Sequence, residues 1–419
     1  MGWAQDSDPY GPVTARPGSV EALLQAAAKG EPGADVSLQH WFETHPAADA
    51  ATRDEVAQRL CVDFGYHGWN AARRDVCTAE TRPSLSGDDD AGLAEAFAKI
   101  PPTRAIGSAT IALRWNPFGS QSGNVTVNGV TLPWLIDTGA EITVVSRSVA
   151  DRIGVRYLGR GTKVGTTTAD VNGDPGVIDL MTIGAARVEN VPVLVLSDKQ
   201  LTIFGGHVIP AILGLPVLVA FRRVAWLHGG ETLALGESAP RPAPHSFALY
   251  WRYDGLTVPV ATSLGTRGAQ LDTGANNTIW WRGGISLLAP ADLAATVENK
   301  VRIGGAGGLQ EARRRHLKML QFRFAGVPVE LGGVDIDDGP QREPGAALIG
   351  MDTVSQLSTL ILDFETMRVN ARPKTPTQRR RSGWHALTWD DLKPAAAAPS
   401  AGASPKRDRN SPAPPAPPG

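Results

Sequence analysis

Leu132-Pro133-Trp134-Leu135-Ile136-Asp137-Thr138-Gly139-Ala140 is an apolar strand running into an acid, a hydroxyl and a glycine. Gly268-Ala269-Gln270-Leu271-Asp272-Thr273-Gly274-Ala275 repeats that ending. One Asp-Thr-Gly alone marks an ordinary turn and carries little weight. Here each copy is followed by an apolar-apolar-Gly signal at nearly the same distance. Ile212-Leu213-Gly214 ends 77 residues after Asp137, and Leu348-Ile349-Gly350 ends 78 residues after Asp272. The chain therefore reads as two copies of one unit, each bearing one carboxylate. The repeat extends upstream as well. Val125–Leu132 reads as a hairpin, because Asn128-Gly129 tolerates the positive φ angles of a type I′ turn. Tyr250–Val258, turning on Asp254-Gly255, is its expected counterpart.

Outward from the two motifs, the 419 residues exceed one compact core. Residues 1–104 read as a helical N-terminal region, accessory domain or pro-segment. Ser19, Glu21, Leu23-Leu24 and Gly30 suggest a capped and terminated helix, and Leu38–Thr44, Arg53–Phe64 and Ala91–Ile100 repeat the texture. That region is not notably basic, which favours an accessory domain. After Pro101-Pro102 the texture turns to short strands and Gly-rich turns. Residues 105–240 and 241–371 form the two units, joined through the Pro-rich stretch Glu237–Pro244. Residues 372–419 read as a disordered Pro/Ala/Arg-rich tail, since 10 of the 32 prolines follow residue 370.

Charge and cysteine usage narrow the classes further. The formal net charge is −1, yet residues 371–419 alone carry +6, which leaves about −7 on the rest. Arg379-Arg380-Arg381 reads as a solvated tail, with no aromatic platform or folded basic face for nucleic acid. No apolar run of about 18 residues exists, so no membrane span is expected. The N-terminus lacks a basic n-region and an apolar core, so no signal peptide is expected in this chain. Cytoplasmic residence is the default expectation, and export is the alternative if a leader is missing from this sequence. Cys61 and Cys77 stand 16 residues apart, fit no common zinc spacing, and read either as two thiols or as a local disulfide.

Two carboxylates held a few ångströms apart share one proton, because both cannot ionise cheaply. Such a pair can activate a water on one side and hydrogen-bond to a carbonyl on the other, with no metal and no cofactor. Asp137 and Asp272 are the candidate catalytic pair. Thr138 and Thr273 can hydrogen-bond across the junction, and Gly139 and Gly274 leave room for close backbone approach.

These residues resemble the clan of aspartic proteases that includes the retropepsins and the two-lobed pepsins. The second unit matches more closely, through Leu271–Thr278, Ile303–Gly308 and Ala347–Asp352. The resemblance implies a mostly β protein: two retropepsin-like closed β lobes forming an acid-protease pseudo-dimer, preceded by a small α-helical region. It also implies that Gly304, Gly305, Ala306, Gly307 and Gly308 form the tip of a flap over the substrate. The first unit's flap position, near Thr166–Gly176, lacks the double glycine. Ala140 and Ala275 stand where pepsins commonly place Ser or Thr, so the carboxylates lack that hydroxyl donor and a mildly acidic optimum is expected. The implied activity is aspartic endopeptidase, on an extended polypeptide bound by a monomeric pseudo-dimer. Two rivals stand beside it: a non-catalytic peptide-binding module of the same fold, and lobes that pair between chains in a homodimer.

Overall fold

The computed structural model describes residues 19–28, 37–38, 41–42, 44–64, 93, 96–97, 100–166, 168–203, 206–243, 246–252, 255–339, 345–366 and 368–375. The acidic run 88–90, Cys77 and everything after residue 375 lie outside them, so the expectation of a thiol or disulfide at Cys61 and Cys77 lies there too, as does that of a disordered tail except at residues 372–375, where Arg372 and Pro373 instead end a strand. The described protein is mostly β, with a small helical region at the N-terminal end. Val20–Ala28 and Ala50–Phe64 are helices. Ser19 Oγ accepts from the Ala22 N–H and Asp49 Oδ1 from the Thr52 N–H, satisfying donors that open each helix. Leu23, Leu38 and Val56 are buried in the main apolar core.

In the first unit, Gln121–Val127 turns back as Val130–Ile136 through Asn128 and Gly129, at φ 48° and 77°. That is the turn the Asn-Gly pair predicts. Val130–Ile136 then lies parallel to Ala211–Leu213, with Leu135 opposite Ile212 and Ile136 opposite Leu213. In the second unit Gly265–Leu271 lies parallel to Ala347–Ile349, with Gln270 opposite Leu348 and Leu271 opposite Ile349. The two apolar-apolar-Gly signals are thus the strands flanking each acid-bearing strand. A short helix follows each glycine, Leu215–Ala220 and Met351–Val354.

One upstream expectation needs correction. Tyr250–Arg252 does pair with Gly255–Thr262, but the counterpart of the Asn128-Gly129 hairpin is the next one along. Gly265–Leu271 begins seven residues before Asp272, as Val130–Ile136 begins seven before Asp137. Its turn is Ser263-Leu264, which has no Asn-Gly or Asp-Gly signature to announce it.

The units join through one sheet. Arg223–Leu227 pairs antiparallel with Leu357–Asp363, with Arg223 opposite Asp363 and Trp226 opposite Leu360. Thr232–Leu235 extends that sheet on the first unit's side, and Arg368–Pro373 on the second's. Buried Arg223 reaches Asp363 at 3.9 Å across this seam. Among the described residues, no helix is long and apolar enough to cross a membrane.

Candidate active site

Each acid sits where its strand ends, and the flanking parallel strand fixes its backbone. The Asp137 N–H donates to the Leu213 carbonyl at 3.1 Å, and the Asp272 N–H to the Ile349 carbonyl at 3.0 Å. Each loop then folds back on its own carboxylate. Gly139 N–H donates to Asp137 Oδ1 at 2.8 Å. Gly274 and Ala275 N–H groups donate to Asp272 Oδ1 at 2.8 and 3.0 Å.

The two loops meet through their threonines. Thr138 Oγ1 donates to the Leu271 carbonyl and accepts from the Thr273 N–H, at 2.8 and 3.1 Å. Thr273 Oγ1 donates to the Ile136 carbonyl and accepts from the Thr138 N–H, at the same two distances. Both hydroxyls are buried, and each donates once and accepts once, so the grip is reciprocal across more than 130 residues of chain. Glycine is required on both sides. A Cβ on Gly139 would lie 2.4 Å from Asp272 Cγ, and one on Gly274 would lie 2.4 Å from Asp137 Cγ.

Asp137 and Asp272 are therefore brought together at the junction, close enough for each carboxyl to bear on the other's proton. Burial pushes the Asp137 carboxyl well above the ordinary carboxylate range, and the neighbouring Asp272 charge adds to the rise. Asp272 is also raised by burial, offset by hydrogen bonds from Asp137 and the backbone N–H groups. The two titrate as a pair that retains one proton.

Residues 123–217 match the aspartyl protease family model. The matched span carries Asp137, the hairpin before it and the Ile212-Leu213-Gly214 strand after it. That span is similar to aspartyl proteases, within a chain whose described residues are mostly β. Among solved structures it is similar to basic 7S globulin from soybean, at 11% identity and a TM-score of 0.40, over 70% of this chain and 100% of that one. So loose a likeness carries no argument. No curated protein matches the chain.

Val297–Gly305 and Gly308–Leu317 form a long hairpin whose turn is Ala306-Gly307. Gly307 and Gly308 take φ near +103° and +104°, which L side chains rarely adopt. The expected flap segment is thus a hairpin tip, and it reaches the other unit. Thr168 Oγ1 donates to the Ala306 carbonyl at 2.8 Å, and Thr166 Oγ1 donates to the same oxygen. The Gly307 N–H donates to the Gln200 carbonyl at 3.0 Å. Thr166 and Thr168 belong to the turn between Thr162–Gly165 and Asp170–Ile183, so the first unit also has a hairpin at its flap position.

Sequence reasoning missed several supporting groups. Ser120 Oγ donates to the Gly274 carbonyl at 2.7 Å, tying the first unit to the second loop. Asp352 is buried, and its carboxylate accepts from the Thr278 N–H and hydroxyl and from the Thr353 N–H, at 2.6–2.8 Å. Burial lifts it to about 6, with those hydrogen bonds opposing the rise. Only the position of Asp352, two residues after Gly350, could have pointed to it. No cluster of three or more His, Cys, Asp or Glu residues that could hold a metal ion occurs among the described residues.

Proposed function

We propose that this protein is an aspartic endopeptidase that hydrolyses peptide bonds with water activated between Asp137 and Asp272. The observation that carries the reading is the mutual approach of the two carboxyls, each within the space that a glycine of the opposite loop leaves free. The ionised carboxylate takes a proton from the water as its oxygen attacks the peptide carbon. The protonated partner hydrogen-bonds to the carbonyl oxygen and stabilises the tetrahedral intermediate. Collapse breaks the C–N bond, and the departing nitrogen takes a proton from the carboxyl pair.

The substrate is an extended polypeptide beneath the Gly304–Gly308 flap. Hydroxyl and amide contacts at Ala306 and Gly307 support a flap able to close over it. The sheet shared by Arg223–Leu227 and Leu357–Asp363 supports pairing of the two lobes within one chain. Raised carboxyl values and the alanines at 140 and 275 support a mildly acidic optimum.

The test is cleavage of an unfolded protein and a mixed peptide pool from pH 3 to 8 by wild type, Asp137→Asn and Asp272→Asn. A shared pair predicts cleavage by wild type and none by either variant. Activity surviving in one variant would mean that the acids act separately. Three inert but folded proteins would favour the binding-module rival. A rate still climbing below about pH 3 would contradict the acid-limb expectation.

A further inference from the structure

Strand pairing lays five residues of the second lobe in one row. Gln270 stands opposite Leu348, Leu348 opposite Ile279, Ile279 opposite Asp335, and Asp335 opposite His316. Their chain neighbours Leu271, Ile349, Trp280 and Ile336 are buried in the main core. Alternation therefore turns the row to the other face of the sheet, the face of Asp272, two residues beyond Gln270. The row begins on the strand that ends at this acid, Gly265–Leu271. It finishes on Gly308–Leu317, the strand that leads away from the flap tip.

The first lobe has the same row with different chemistry. Leu135, Ile212, Val144, Leu194 and Pro175 pair in the same order, and all five are apolar and buried. All five second-lobe residues are only partly buried. Leu348 and Ile279 keep the centre apolar, while Asp335 and His316 stand in place of a leucine and a proline at the flap end. The second row thus offers an apolar strip with a carboxylate beyond it.

Charge decides what such a strip can hold. Asp337 is paired with Arg314 at 2.9 Å, and Asp338 with Arg315 at 2.8 Å. Asp335 faces His316 instead, Oδ1 to Nδ1 at 2.9 Å, and a histidine is charged only when protonated. Asp335 Oδ2 takes no hydrogen bond among the described residues. A basic side chain matches both features, because its aliphatic stem covers apolar surface while its cation pairs with a carboxylate.

We propose that this row is a substrate subsite that selects lysine or arginine, with the stem on Leu348 and Ile279 and the cation on Asp335. The inference rests on the endopeptidase reading for the ligand being a substrate. The row itself rests on strand register. Asp335 then sets specificity without touching the reacting atoms, so its loss raises KM for one class of peptide.

The experiment uses the full chain and labelled octapeptides in which one lysine, norleucine or glutamate is moved through every position. Cleavage is measured with wild type, Asp335→Asn and Asp335→Lys. Binding is measured by fluorescence anisotropy with Asp272→Asn, alone and combined with Asp335→Asn. The expected result is one position at which lysine exceeds norleucine about tenfold in kcat/KM, through a lower KM. Asp335→Asn should bring that ratio to about one, and Asp335→Lys should make glutamate the preferred residue. Poor folding lowers the rates with all three peptides alike, so the ratio reports the subsite and not the fold. No position favouring lysine, or a preference that survives in Asp335→Asn, overturns the subsite and leaves the endopeptidase standing where Asp272→Asn is dead. If no peptide is cut, the endopeptidase reading falls and anisotropy decides the rest. Tighter binding of lysine peptides that is lost with Asp335→Asn keeps the site for a basic side chain, and equal binding overturns it.

Discussion

The two lobes share one loop and differ in what surrounds it. Asp137 and Asp272 end parallel-paired strands, accept from the glycine N–H two residues on, and are tied by threonines making the same two bonds in each direction. Around those loops the symmetry fails. Leu135, Ile142, Val144 and Ile212 of the first lobe are buried in one apolar cluster with Leu93 and Phe97, whereas Gln270, Asn277, Ile279 and Leu348 at the equivalent positions are not buried. Thr143 and Thr278 stand six residues after their acids, and each accepts from the Gly214 or Gly350 N–H. Yet only the second lobe has a buried acid on that threonine, because Pro216 occupies the position of Asp352. Duplication preserved what the carboxyl pair needs and released the rest. A shared reaction centre constrains both loops equally, whereas the walls need only fit their own neighbours.

The largest effect is expected where the lobes are most alike. Gly139→Ala and Gly274→Ala each push a methyl group into the opposite carboxyl, so each should lower kcat/KM by about 100-fold or more. A silent change on one side would show that the loops are not equivalent. Next come Thr138→Val and Thr273→Val. Each strands a buried carbonyl and a buried N–H, costing about 2–5 kcal/mol in denaturant unfolding. The double variant should cost less than the sum, since both changes break one network.

The lobes part at Asp352. Its folded value of about 6 lies above the ordinary carboxylate value of about 3.9, so between those pH values the folded state holds the proton more tightly. Its contribution to stability is full below about pH 4 and is lost as pH rises to about 6, a change of about 2–3 kcal/mol. The difference between wild-type and Asp352→Asn unfolding curves across that range isolates it. Equal slopes would mean that the hydrogen bonds from Thr278 and Thr353 cancel the burial. The smallest expected effect is at the flap. Thr166→Val with Thr168→Val removes both hydroxyls from the Ala306 carbonyl, and should raise KM about fivefold with kcat held. A larger fall in kcat would make this contact part of the reacting geometry.

Much of this could be read in advance, for a local reason. The Asn128-Gly129 turn, the apolar strands, the two acids and the glycines beside them are conditions on adjacent residues, set by backbone sterics and strand alternation. The counterpart hairpin was misplaced by one because Ser263-Leu264 carries no such local mark. Partners distant in sequence had no mark either. Ser120 on the Gly274 carbonyl, the threonines on Ala306, and Leu93 and Phe97 in one cluster with Leu135 and Ile212 join residues dozens to more than a hundred positions apart. By itself, then, the sequence determined that there are two units and which acid each one carries. Only the tertiary structure decided that the acids meet and that Leu93 and Phe97 join the first lobe's second apolar cluster, because packing between distant segments depends on where the chain returns.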